Sequence, residues 1–239
     1  MANLDCKLFQ RAAAIAWAWL VLVMAFPGLA RPANKNDKAA QKLKAALLHY
    51  QQGSTFYDKG NLEGAIAEYQ EALRGDPDEP YWLQALGDAL NKRADAPAAL
   101  EEYRRASQLS PHDSGLRSKY EELEKKLNGA AGSAPAKADA TPETLASVGG
   151  GVTAPVAQFH PEPPYTEKAR IAKYHGTTVL WITVDAQGSV SDVRVAIPLS
   201  LGLSEQAIET VRTWQFQPAT RSGGPVPVRV AVEVTFRLY

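Results

Sequence analysis

The chain has 239 residues, with 26 Lys and Arg against 26 Asp and Glu. A formal net charge of zero gives no general attraction to phosphate backbones, which argues against nucleic acid as a partner. Hydrophobic residues at 45% and charged residues at 22% exclude wholesale disorder, and a lone Cys6 excludes a disulfide framework and any CxxC zinc or redox site.

Lys7 and Arg11 precede an uncharged stretch, residues 12–30, whose apolar run ends at Phe26 before Pro27 and Gly28. A basic start, a short apolar run, a turn and the small-x-small triplet Gly28-Leu29-Ala30 make the order of a secretory signal, with the mature chain expected to begin at Arg31. The alternative is an uncleaved anchor, which the basic residues Arg31, Lys35, Lys38, Lys42 and Lys44 beyond the segment disfavour. Either way the remaining chain is expected in the periplasm, exported or tethered to the inner membrane by residues 12–30.

A shift of 34 residues superposes Gly53 on Gly87, Ala65 on Ala99, Tyr69 on Tyr103, Ala72 on Ala106 and Pro77 on Pro111. Each unit divides at Gly60-Asn61 or Ala94-Asp95 into two helix-length segments. The glycines and alanines let paired helices approach, the tyrosines fill the space between them, and the prolines stop the second helix. This spacing resembles the tetratricopeptide repeat, with units at 46–79 and 80–113. A third helix is expected from Ser114, its cap, with Leu116, Tyr120, Leu123 and Leu127 on one face and charges on the other, as a solvating end to the stack. On the first-helix faces, where the repeat family binds its ligands, stand Tyr50, Tyr57, Asp58, Gln84, Asp88 and Asn91. Their ligand is unknown, and ordinary solvated surface on repeats that only space or dimerise the chain is the competing reading.

Residues 128–151 are rich in Ala, Gly, Pro, Ser and Thr, end in three glycines and carry no hydrophobic period, so they read as a flexible linker between separately folding modules. Beyond it the pattern turns to strands. Residues 177–184 are β-branched and apolar, Asp185-Ala186-Gln187-Gly188 is a turn, and residues 190–197 alternate. Leu203, Ala207, Ile208, Val211 and Trp214 take helical spacing. Val226, Val228, Val230, Val232, Val234, Phe236 and Leu238 then alternate with Pro227, Arg229, Ala231, Glu233, Thr235 and Arg237, the mark of a strand with one buried and one open face. The hairpin makes the first two strands antiparallel and the helix returns the chain, so the predicted sheet order is second-first-third with the last strand an edge. Trp181 and Trp214 are expected in the core.

Pro164-Tyr165, Arg170, Gly176, the strand 178–184, Asp185-x-x-Gly188-x-Val190, Ala207-Ile208, Trp214-x-Phe216-x-Pro218-Ala219, Gly224 and the alternating last strand together resemble the TonB C-terminal domain over residues 152–239. The resemblance implies a multidomain chain: tetratricopeptide hairpins at 31–127, then a small α+β domain with a three-stranded antiparallel sheet. It also implies partners. Members of the family pair a sheet edge with a short peptide of outer-membrane transporters, and they couple transport to inner-membrane proton-channel proteins. The peptide-pairing edge would be Val226, Val228, Arg229, Val230, Ala231, Val232, Glu233, Val234, Thr235 and Arg237, with homodimerisation through the same edge as a competing use. Thr166 stands where the family has proline, residues 12–26 lack the anchor histidine, and the long spacer is replaced by the short linker. The last two belong to energy transduction; peptide pairing does not depend on them.

No nucleophile elbow, dinucleotide loop, phosphate loop or HExxH is present, and His49, His112, His160 and His175 are scattered. Glu162 and Glu167 flank Pro163-Pro164-Tyr165 but read as loop carboxylates. The chain is therefore expected to be no enzyme, without metal or cofactor. Its expected function is transporter-peptide pairing in support of energy-coupled transport, with the repeats recruiting a partner; the alternative is an envelope adaptor without energy transduction.

Overall fold

The computed structural model describes residues 34–129 and 148–238. The expected export segment, its Gly28-Leu29-Ala30 triplet and most of the expected linker lie outside the described residues. The helical module is α1 (Lys35–Asp58), α2 (Leu62–Gly75), α3 (Pro80–Lys92), α4 (Ala96–Leu109) and α5 (Ser114–Gly129). Its turns follow from capping chemistry. The Asn61 side chain accepts from Gly64 N–H at 3.0 Å and Asp95 from Ala98 N–H at 3.4 Å, while Pro80 and Pro97 begin α3 and α4, where a missing N–H costs nothing.

The period of 34 is a packing rule. A Cβ on Gly53 would lie 2.6 Å from the Tyr69 ring, and one on Gly87 would lie 2.6 Å from the Tyr103 ring. Each tyrosine thus occupies the space its glycine vacates on the preceding helix. Alanine at position 87 would gain about 1 kcal/mol of helix propensity, but it must displace an aromatic ring whose hydroxyl is fixed to Asp88 at 2.6 Å. Overpacking of that kind costs about 1–3 kcal/mol. Gly87→Ala is therefore expected to lower stability by up to about 2 kcal/mol, visible as a fall in denaturation midpoint at unchanged slope; a stabilised variant would contradict the packing rule.

The C-terminal module is β1 (Val156–Phe159), α6 (Glu167–Ala172), β2 (Gly176–Val184), β3 (Val190–Ile197), α7 (Leu203–Val211), β4 (Gln215–Gln217), β5 (Thr220–Arg221), β6 (Gly224–Pro225) and β7 (Val228–Phe236). The main sheet has the order β3-β2-β7, both pairs antiparallel, as the sequence predicts. Asp185 builds the β2–β3 turn by accepting from Gln187 and Ser189 N–H, each at 2.9 Å. Gly188 is obligatory there: its φ is +84°, and a Cβ would stand 1.9 Å from the Phe216 carbonyl oxygen. Leu180, Ile182 and Val184 of β2, Val193 of β3, and Val228, Val234 and Phe236 of β7 pack with Leu203, Ala207, Ile208 and Val211 of α7. Short ribbons, β1 with β4 and β5 with β6, complete the module.

Three expectations need correction at this level, and others follow from the geometry of the site. Trp181 is not in the core: it is 45% exposed, because it lies on the face of β2 opposite the fully buried Leu180 and Ile182. Val226 precedes β7 rather than belonging to it, its N–H donating to Ala219 C=O at 2.8 Å. The third correction is the largest. The modules are docked, not separate. Ala46, Leu47, Ala72 and Trp82 of the helices belong to the same buried cluster as the sheet core, and the described residues from Ala39 onward form one compact body.

Candidate peptide-pairing edge and repeat groove

Docking decides which sheet edge is free. Asp185 N–H donates to Ser189 C=O at 2.9 Å, so Val184 and Val190 are a non-hydrogen-bonded pair and the polar groups of Val184 face β7. Alternation along β2 then turns Thr183 and Trp181 toward β3, and Ile182 and Leu180 toward β7. On β3 the residues opposite Ile182 and Leu180, Val193 and Val195, turn their polar groups outward. The repeat module covers that edge. Ser114 O–H donates to Val193 C=O at 3.0 Å, Arg194 Nε donates to Ser114 Oγ at 3.1 Å, and the Val195 N–H faces the Asp113 carboxylate. Asp113 also accepts from Tyr81 O–H at 3.0 Å and Gly115 N–H at 2.8 Å. Burial raises the Asp113 pKa, and these bonds hold it back. So Ser114 is not a helix cap facing solvent. It ties α5 to the sheet, and the start of α5 is a dock instead of a solvating end.

The same register fixes what β7 offers. It pairs with β2 as Val228 with Val184, Val230 with Ile182, Val232 with Leu180 and Val234 with Thr178. Those are the hydrogen-bonded pairs, so the N–H and C=O groups of Arg229, Ala231, Glu233 and Thr235 point to the free edge. Among the described residues no strand pairs with that side. Val228 and Val234 are buried, Val230 and Val232 half-buried, and Arg229, Ala231, Glu233 and Thr235 exposed. Arg237 follows the strand and is exposed.

A groove of about 450 Å³ runs beside the second half of this edge, between Glu233–Arg237 and the extended segment of His160, Pro161, Glu162, Pro163 and Tyr165. The segment is held in place at both ends. Trp214 donates its indole N–H to Pro161 C=O at 3.1 Å, with His160 edge-on to its ring, and Tyr165 meets Phe236 edge to face at 5.7 Å. Trp214 is thus a half-buried wall of the groove, not a core residue. Glu162 lines the groove while Glu167 pairs with Arg170 at 3.4 Å on α6.

The repeats form a second, smaller groove of about 200 Å³, which brings together Tyr50, Tyr57, Asp58, Gln84 and Asp88 with Pro198 of the C-terminal module. Asn91 does not line it. Much of this polar set is already engaged: Asp88 takes Lys119 Nζ at 2.5 and 2.8 Å and Tyr103 O–H at 2.6 Å, and Gln84 bonds Asp88 at 3.4 Å. Tyr50 stacks on Trp82 at 5.6 Å, and burial, with the charges of neighbouring tyrosines and Glu79, pushes its pKa up to about 12. Burial and then the charges of Asp88 and Asp58 raise that of Tyr57. Sequence reasoning missed the seam residues Glu79, Trp82, Asp113 and Ser200, discussed below. Among the described residues no group of three or more His, Cys, Asp or Glu is placed to hold a metal, and no helix is long and apolar enough to cross a membrane.

Residues 161–238 match the family model of the Gram-negative bacterial TonB protein C-terminal, and residues 53–93 match that of the TPR repeat. Comparison with curated proteins returns no match. Among solved structures, the solution NMR structure of the Pseudomonas aeruginosa TonB CTD is similar at 15% identity and a TM-score of 0.30, over 40% of this chain and 96% of that chain. The C-terminal module is TonB-like and the helical module carries TPR-type repeats, both of them protein-interaction families.

Proposed function

We propose that β7 captures an extended peptide of an outer-membrane transporter by strand addition, in support of energy-coupled transport, while the repeat groove recruits a further protein. The observation that carries this reading is the inequality of the two sheet edges. The β3 edge spends its polar groups on Asp113 and Ser114, and the β7 edge presents Arg229, Ala231, Glu233 and Thr235 beside a 450 Å³ groove. A regular edge left open must be blunted or used, and this one is blunted only at its start, by Pro225 and Pro227. The chain in this reading works in the periplasm, performs no turnover and holds no cofactor.

The test is a titration of the isotopically labelled full chain with synthetic peptides from transporter N-terminal segments. Saturable shifts at a stoichiometry of one, strongest at the Arg229, Ala231, Glu233 and Thr235 amides, are expected. Shifts confined to the repeat groove would replace this reading with an adaptor that does not transduce energy. The shared core supports that second reading, since it holds groove and edge in one body. Copurification of proton-channel proteins from membranes separates the two.

A further inference from the structure

Glu79 lies between α2 and α3 at the centre of the seam between the modules and is 1% exposed. Its Oε2 accepts from Leu201 N–H at 2.9 Å, and its Oε1 has no hydrogen-bond partner among the described residues. Glu205, on the first turn of α7, is half-buried as a residue, yet both of its carboxylate oxygens are buried without a partner. Two carboxyl groups from the two modules thus meet water-excluded surroundings with three unsatisfied oxygens between them. One ionised carboxylate there lacks donors; two repel each other as well.

We propose that the seam is a proton-operated latch, closed while Glu79 and Glu205 carry protons and loosened when both ionise. The surrounding charges favour this over a permanent ion pair. Asp76 and Asp113 add negative charge from the repeat side. The cation that faces the cluster is Lys168 of α6, and it is engaged by both Asp76 oxygens at 2.8 Å. Among the described residues the tyrosine hydroxyls of Tyr50, Tyr81 and Tyr174 also act on the pair, and they supply no positive charge. At the rim of the seam His112 lies 3.6 Å from Glu209, outside the buried cluster.

Burial first, then the Glu205 and Asp76 charges, raise the Glu79 pKa well above the ordinary carboxylate value, with Lys168 opposing. Burial likewise pushes Glu205 up to about 7. The sign follows from linkage. A carboxyl raised in the docked state binds protons there more tightly than in the open state, so it favours docking fully below 4.5 and loses that contribution as pH rises through about 7. Opening would uncover Val193 C=O, which Ser114 now satisfies, and Val195 N–H, which now faces Asp113.

Native-state hydrogen exchange on the full chain reads the latch directly, at the Leu201 and Val195 amides, after correction for intrinsic exchange. Their protection factors are expected to fall at least tenfold between pH 5.5 and 8, about one pKa unit of linkage, while core amides such as Ile182 change less. Glu79→Gln and Glu205→Gln, neutral and nearly isosteric, are each expected to flatten the profile. Lys168→Met, which removes the opposing cation, is expected to move its midpoint upward. Seam protection that is constant with pH in the wild-type chain would overturn the proposal whatever the variants do, as would a wild-type profile retained in both Gln variants.

Discussion

Val230→Pro is expected to destabilise the C-terminal module strongly, and Ala231→Pro to leave its stability nearly unchanged but abolish peptide uptake. The residues are adjacent on one strand, and the difference that matters for proline is where the N–H points. Val230 is half-buried and hydrogen-bonded to Ile182, so proline there deletes a ladder bond and leaves the Ile182 carbonyl unpartnered in the core. The loss is about 3 kcal/mol or more, a Tm fall of roughly 6–12 °C in a body of this size. Ala231 is exposed with its N–H on the free side, where an edge strand tolerates proline. Circular dichroism melts and peptide titration of both variants check the pair. Equal melting temperatures would show the register to be wrong; a folded Ala231→Pro that binds as well as wild type would remove β7 as the site.

The second large effect is expected at Trp82→Ala. Trp82 is fully buried, donates its indole N–H to Ser200 Oγ at 3.0 Å and stacks on Tyr50. It is the largest side chain that the helical module contributes to the shared core. Truncation should cost about 3–5 kcal/mol and, more tellingly, uncouple the modules. The wild-type chain is expected to melt in one cooperative transition, and the variant in two, the repeat preceding or following the sheet. Two transitions already present in the wild type would mean that the seam contributes little to stability. That outcome would return the modules to the independence their sequence suggests.

Much of the architecture is written locally and is readable for that reason. The Gly53–Tyr69 and Gly87–Tyr103 pairs leave a period because one packing solution is used twice. The alternation of residues 226–238 places its strand because side chains on a sheet repeat every two residues. The seam leaves no such trace. Asp76, Asp78 and Glu79 look like a solvated turn between repeats, and nothing near them in sequence reports that Glu79 meets Leu201, 122 positions away. Asp113 and Ser114 likewise read as a helix start, which they are, while their second role requires a strand eighty residues downstream. Trp181 was legible and misassigned. Its odd position places it with Val179 on the face opposite Leu180 and Ile182, and size alone argues otherwise.

A sheet with two open edges can grow at both ends, whereas this one has already used its β3 side on its own chain. While the seam is closed, each molecule therefore offers a single strand-pairing valence. When two copies meet through β7 the sheet is finished, and neither copy retains a place for a third. When β7 holds a peptide instead, the complex stops at one to one. The repeat module, by sitting where it does, converts an element prone to fibrous extension into one that terminates whatever it joins.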